Sequence, residues 1–261
     1  MSAPPLPLPA LLQQQIGPAT WHKDDLGMSG ALVFRIETAA QTLFLKVGTG
    51  HEALALAGEA ARIVWLNGRL PVPEIRYAQS EGDTYYLLMT GVPGRDASKL
   101  PLPPKQLTRL LAKGMRAIHS LSIDDCPFDH RLDNRIAIAR SRLDAGLVDT
   151  GDFDEERQGR TVAEVFADLL ENRPRHEDLV FTHGDCCLPN IMIDPPAGRI
   201  TGYIDLGRAG IADRHQDIAL CARSLAYNLS QEWVPLLFET YGLEYIDPAK
   251  IEFYKLLDEF F

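Results

Sequence analysis

The chain has little cysteine, no long apolar run and no excess of positive charge, and each shortage removes a class of protein. Its four cysteines, Cys126, Cys186, Cys187 and Cys221, show no Cys-x-x-Cys spacing, so neither a zinc site nor a disulfide framework is indicated. They are read as reduced thiols. No uninterrupted apolar stretch approaches the ~18 residues that span a bilayer. Residues 1–9 hold four prolines but no basic-then-apolar leader pattern, so a cytoplasmic location is expected. Lys and Arg number 26 against 36 Asp and Glu, a formal charge of −10. Nucleic acids and anionic membranes are bound by Lys/Arg-rich faces that displace counterions, so neither is expected as a partner. With 46% apolar and 24% charged residues, 261 residues suffice for one or two ordinary cores. No internal repeat is present, and the expected state is a monomer or weak dimer.

Periodicity along the chain changes once. Residues 1–9 are expected to form an extended, poorly ordered arm. Apolar residues alternate from Ala31 to Ile36 and from Thr42 to Val47, which predicts an antiparallel hairpin. Between Glu52 and Leu66 the spacing is helical, with Asn67-Gly68 as the stop, and Tyr85–Met89 reads as another strand. Gly91-Val92-Pro93-Gly94 is turn chemistry at the point where strands give way to helices, a candidate hinge. Helices follow at Lys105–Leu121, Thr161–Leu170 and Pro248–Leu257, and short strands at Leu179–Thr182, Ile191–Ile193 and Thr201–Ile204 flank the densest polar motifs. The predicted class is α+β: a small antiparallel-sheet lobe over residues 1–91 and a larger, mostly helical lobe over 92–261, with the ligand site in the cleft between them.

Three residues carry the chemistry of the second half. Asp185 and Asn190 lie five apart in His183-Gly-Asp-Cys-Cys-Leu-Pro-Asn190, and Asp205-Leu-Gly follows after another short strand. Phosphoryl transfer from a nucleotide needs a carboxylate to orient an attacking hydroxyl or take its proton, and hard oxygen ligands for Mg²⁺ on the phosphates. Asp185 suits the first role, Asn190 and Asp205 the second. Any one of these could merely punctuate a loop, but together they reproduce the catalytic-loop and metal-loop spacings of kinases. Upstream, Lys46 ends an apolar strand and Glu59 sits on the next helix, a pairing that can grip nucleotide phosphates. Met28 and Ser29, in a small-residue loop before the hairpin, could cover those phosphates with backbone N–H groups. The backbones of Thr90 and Val92 could read an adenine edge. His119, between Ile118 and Leu121, reads as a packed core histidine.

These segments, with Asp205-Leu-Gly-Arg208, Asp213-Arg-His-Gln-Asp217 and the closing Leu257-Asp-Glu-Phe-Phe261, resemble the aminoglycoside 3'-phosphotransferases, kinases of antibiotic resistance with the two-lobed protein-kinase-like fold. The resemblance runs from Met28 to the last residue. It implies ATP or GTP as donor, Mg²⁺, a kanamycin- or neomycin-type acceptor phosphorylated on its 3'-hydroxyl, and Asp185 as the catalytic aspartate. It further implies a substrate site for a polycation: Asp152, Asp154 and Glu155 from a loop over the drug, Asp258, Glu259 and the Phe261 carboxylate from the end, and Arg208 and Arg223. Arg208 is expected to orient the catalytic carboxylate or a sugar hydroxyl. Asp217 is expected to N-cap its helix and tie down the catalytic loop, with Asp213 alike. Ser224 stands where some relatives carry an acid, which leaves the drug spectrum open. The competing readings are a kinase of another small hydroxylic metabolite, of choline or homoserine type, and a non-catalytic nucleotide-binding module.

Overall fold

The computed structural model describes residues 4–24, 30–242, 244 and 246–261. Its first element is α1 (Ala10–Ile16), followed by strands β1 (Ala19–Asp24), β2 (Leu32–Thr38) and β3 (Thr42–Thr49), helix α2 (Gly50–Leu66), and strands β4 (Ile75–Glu81), β5 (Thr84–Thr90) and β6 (Arg95–Asp96). Next are α3 (Pro104–His119), α4 (Leu132–Asp144), α5 (Val162–Glu171) and strands β7 (Leu179–Thr182), β8 (Ile191–Asp194), β9 (Arg199–Tyr203) and β10 (Gly210–Asp213). Helices α6 (His215–Asn228), α7 (Val234–Tyr241) and α8 (Pro248–Asp258) complete the chain. Among the described residues no helix is long and apolar enough to cross a membrane.

Two compact units result. The first takes residues 1–95 and two later segments, Met192–Asp194 and Thr201–Gly207; the second takes the rest. The division expected between 91 and 92 therefore falls four residues short, and the β8–β9 hairpin returns chain to the first unit.

In the first unit five strands pair in the order β1-β2-β3-β5-β4, all neighbours antiparallel. Alternation decides which face each side chain takes. Leu43, Leu45 and Val47 of β3 join Phe34 and Ile36 of β2 in one core, while Lys46 projects to the other side, toward α2. Leu56, Ala60 and Ile63 of α2 are buried at helical spacing, as the sequence predicts.

One expectation needs correction here. Of the expected loose arm, residues 1–3 lie outside the described residues and residues 4–9 are packed: Leu6 and Leu8 pack on the sheet's core, and Leu12 and Ile16 of α1 are buried in it. Two apolar positions four apart in a seven-residue helix after a proline are too short a pattern to separate from a linker. The Gly91–Gly94 turn, the candidate hinge, is packed on the β8–β9 hairpin. Thr201 Oγ1 donates to the Pro93 carbonyl, and a Cβ on Gly94 (φ +109°) would lie 2.5 Å from the Ile193 carbonyl oxygen.

In the second unit, α3 buries Leu107, Leu111, Met115 and Ile118 along one face and packs on α7, while α6 packs on α8. Thr161 and Glu164 form a reciprocal capping box that starts α5 where the sequence places it. Strands β7 and β10 pair antiparallel, and β7 leads directly into His183-Gly184-Asp185.

Candidate active site

In the first unit, the ammonium of Lys46 lies 2.8 and 3.0 Å from the two carboxylate oxygens of Glu59 and is also hydrogen-bonded to Asp205 Oδ1. Burial opposes the charge on Lys46, but the carboxylates of Glu59 and Asp205 overcome it and hold its pKa above the ordinary lysine value. The backbone N–H of Leu206 also bonds to Glu59, so the Asp205-Leu206-Gly207 loop is fixed from both sides. Asp205 is the one non-glycine residue with positive φ among the described residues (+57°), and its side chain is about half exposed (51%). A left-handed Asp costs stability and is retained where its carboxylate must point in a set direction.

At the expected adenine edge the two backbones differ in which groups they offer. The N–H of Thr90 already donates to the Glu74 carbonyl at 2.9 Å, whereas that of Val92 has no backbone partner among the described residues. Met28 and Ser29 lie outside the described residues.

In the second unit, the catalytic-loop motif is held from several directions. Asn190 Nδ2 donates to the Asp185 carbonyl and to Asp185 Oδ2, both at 3.0 Å, and the Cys187 thiol donates to Oδ1 at 2.9 Å. Burial and the Asp185 charge keep the Cys187 thiol well above its ordinary pKa, so it stays a donor. Both oxygens of the fully buried Asp217 accept backbone N–H groups, Oδ2 from His183 at 2.7 Å and Oδ1 from Gly184 at 2.9 Å. Gln216 Nε2 donates to the Gly184 carbonyl at 3.0 Å. Asp217 therefore ties down the loop as expected, but it is the third residue of α6 and not its cap. The first N–H of that helix, at His215, bonds instead to Asp213 Oδ1 at 2.9 Å. Ser224 is buried and its hydroxyl accepts from Leu188 N–H at 3.0 Å, so it braces the same loop.

The acidic substrate candidates divide. Asp152 and Glu155 are exposed on short 3₁₀ turns. Asp154, Asp258 and Glu259 are matched by arginines: Arg157 lies 3.3 Å from Asp154 and 3.0 Å from Glu259, Arg208 lies 3.0 Å from Asp258, and Arg223 binds Asp258 and stands 3.6 Å from Asp154. Arg208 also donates to a terminal carboxylate oxygen of Phe261 at 2.7 Å, so it orients the acidic end, and among the described residues it makes no hydrogen bond to Asp185. The buried guanidinium of Arg135 lies 3.5 Å over the Phe261 ring. Sequence reasoning missed Arg135 and Arg157; the i,i+3 spacing of Arg157 after Asp154 was the available signal.

Burial and the neighbouring Asp154 carboxylate push Glu259 up to about 7, with Arg157 opposing. An unfolded glutamate titrates near ~4.3, so the folded form holds its proton to higher pH. The stabilisation this gives is complete below about pH 4 and is lost as pH rises through about 7. Thermal melts of Glu259→Gln should therefore lose less Tm than wild type between about pH 5 and about pH 7. Parallel curves would show that the carboxyl titrates normally.

The fold and these two clusters define a phosphotransferase of protein-kinase-like architecture. The profile of the phosphotransferase enzyme family matches residues 23–254. An aminoglycoside 3'-phosphotransferase of Niallia circulans is 39% identical over 97% of both chains, and one of Escherichia coli is 38% identical over 92% of this chain and 90% of its own. The crystal structure of a type VIII aminoglycoside 3'-phosphotransferase superposes with a TM-score of 0.88 at 36% identity, covering 96% of this chain and 97% of that one. An aminoglycoside phosphotransferase of Streptomyces rimosus, solved with ADP and streptomycin, superposes with a TM-score of 0.83 at 27% identity over 96% of both chains. The chain belongs to the aminoglycoside 3'-phosphotransferase family.

Proposed function

We propose that this protein transfers the γ-phosphate of ATP or GTP to the 3'-hydroxyl of a kanamycin- or neomycin-type aminoglycoside, and that it protects a cytoplasm exposed to such drugs. The observation that carries the reading is the held carboxylate of Asp185, with Oδ2 on Asn190 and Oδ1 on the Cys187 thiol. Such a group is preset to orient an acceptor hydroxyl and take its proton. Lys46, held by Glu59, is the cation for the nucleotide phosphates. The Thr90 carbonyl and the Val92 N–H are the backbone readers of the base.

The oxygen donors fit Mg²⁺. Asp205 offers a half-exposed carboxylate, and Asn190, whose Nδ2 is engaged by Asp185, is left with its amide oxygen. Magnesium commonly takes one or two protein oxygens and completes its shell with phosphates and water. When bound, it supplies neutralisation of phosphate charge. The protein's own part is placement: Asp185 aligns the hydroxyl, and the exposed carboxylates of Asp152 and Glu155 receive the acceptor's ammonium groups, while Asp154, Asp258 and Glu259, matched by arginines, hold the acidic end in shape.

The test is a substrate panel. Purified protein with ATP or GTP and Mg²⁺ should phosphorylate kanamycin and neomycin but not 3'-deoxy aminoglycosides, choline or homoserine, with the product's phosphate on the 3'-oxygen by NMR. Transfer to choline or homoserine alone, or to a 3'-deoxy drug at a comparable rate, would overturn the reading.

A further inference from the structure

His119, the last residue of α3, is buried without being a simple packing residue. Its Nε2 lies 3.1 Å from Asp217 Oδ2, the same oxygen that accepts the His183 N–H, and its Nδ1 lies 2.7 Å from the hydroxyl of Tyr241. Tyr241, at the end of α7, is buried too. Arg116, one turn before His119, donates to the Tyr241 carbonyl at 3.0 Å, and Arg214 Nη1 reaches the Tyr241 hydroxyl at 3.1 Å. Arg214 is itself anchored by Asp178 at 2.9 Å.

A guanidinium cannot accept, so the Tyr241 oxygen accepts from Arg214. With the Tyr241 proton turned to His119 Nδ1, every donor in this chain meets an acceptor. That leaves the ring proton on Nε2, aimed at Asp217. Burial disfavours the Asp217 charge, but the His119 and backbone hydrogen bonds hold its pKa below the ordinary value. The carboxylate thus keeps both oxygens for the loop.

We infer that His119 is a positioning residue for catalysis. Its tautomer, set by Tyr241 and Arg214, orients Asp217, which fixes the His183 and Gly184 amides and hence Asp185. The inference rests on the reading of that loop as catalytic, but its geometric half can be measured without any substrate.

In histidine-labelled protein, ¹⁵N shifts should show His119 as the Nε2–H tautomer, and Tyr241→Phe, which removes one oxygen, should abolish that preference. His119→Ala should speed amide hydrogen exchange at His183 and Gly184 by roughly tenfold or more while distant helices keep their protection. In turnover it should lower kcat by roughly ten- to a hundredfold, as a misplaced reacting group does, with nucleotide KM within about twofold. His119→Gln, which restores a donor toward Asp217, should recover part of kcat. If His119→Ala fails to fold, Tyr241→Phe carries the test through the tautomer and a kcat loss of about threefold. An Nδ1–H tautomer in wild type, or unchanged loop exchange and kcat in a folded His119→Ala, overturns the inference. If wild type phosphorylates no aminoglycoside but the tautomer and exchange results hold, the substrate reading fails and the positioning role stands.

Discussion

Asp185→Asn is expected to lower kcat by roughly a hundred- to ten-thousand-fold, the usual worth of a positioned acid–base group, while leaving the nucleotide KM within about twofold. The substitution is close to isosteric. Asp185 is only partly buried, and an amide in its place still offers an oxygen to Asn190 Nδ2 or to the Cys187 thiol, so the loop should keep its shape. What is lost is the negative charge that aligns an acceptor hydroxyl and takes its proton. Nucleotide affinity should survive because the phosphate cation, Lys46, takes its geometry from Glu59 and not from this loop. Steady-state kinetics with kanamycin and a nucleotide-binding titration check the two halves separately. A kcat within tenfold of wild type would remove Asp185 from the chemistry.

How much of this was legible in the sequence depends on how local each feature is. The β2–β3 hairpin, α2 and β7 follow from alternation or helical spacing within a dozen or so residues, and the structure places them within a few residues of expectation. The catalytic loop was legible for another reason: phosphoryl transfer demands particular residue types at particular intervals, and those intervals are local. By contrast α1, β1, β4 and α4 escaped notice. In α4 the buried set includes Arg135, so no clean apolar stripe marks the helix, and β4 alternates only through Ile75 and Tyr77. The charge pairing of the acidic end was also hidden. Arg223 and Asp258 are 35 residues apart, and Arg157 and Glu259 are 102 apart. Nothing in a one-dimensional pattern joins such partners, so acids that read as open to a cation prove to be already matched. For Asp217 only the capping half of the expectation failed. An aspartate near a helix start reads as a cap, and the fold shows both of its oxygens given to the catalytic loop it was expected to tie down.

The second large effect is steric. Gly184 has φ +83°, and a Cβ there would lie 1.9 Å from the Arg208 carbonyl oxygen and 2.5 Å from its carbon. Neither the left-handed backbone nor the crowded backbone neighbour can yield cheaply, because the Gly184 N–H is bonded to Asp217 and its carbonyl to Gln216. Gly184→Ala should therefore destabilise the protein by about 2–5 kcal/mol, combining left-handed strain with overpacking. Gly146 provides the control: it too has positive φ (+66°), but nothing lies within 4 Å of where its Cβ would be. Gly146→Ala should cost only about 1 kcal/mol, the conformational part alone. Urea denaturation of both variants separates strain from crowding. If Gly184→Ala keeps its stability by moving the loop, kcat should collapse instead, because the displaced segment carries Asp185. A Gly184→Ala protein as stable and as active as Gly146→Ala would mean that Arg208 does not press on the catalytic loop, and the account of how that loop is held would fail.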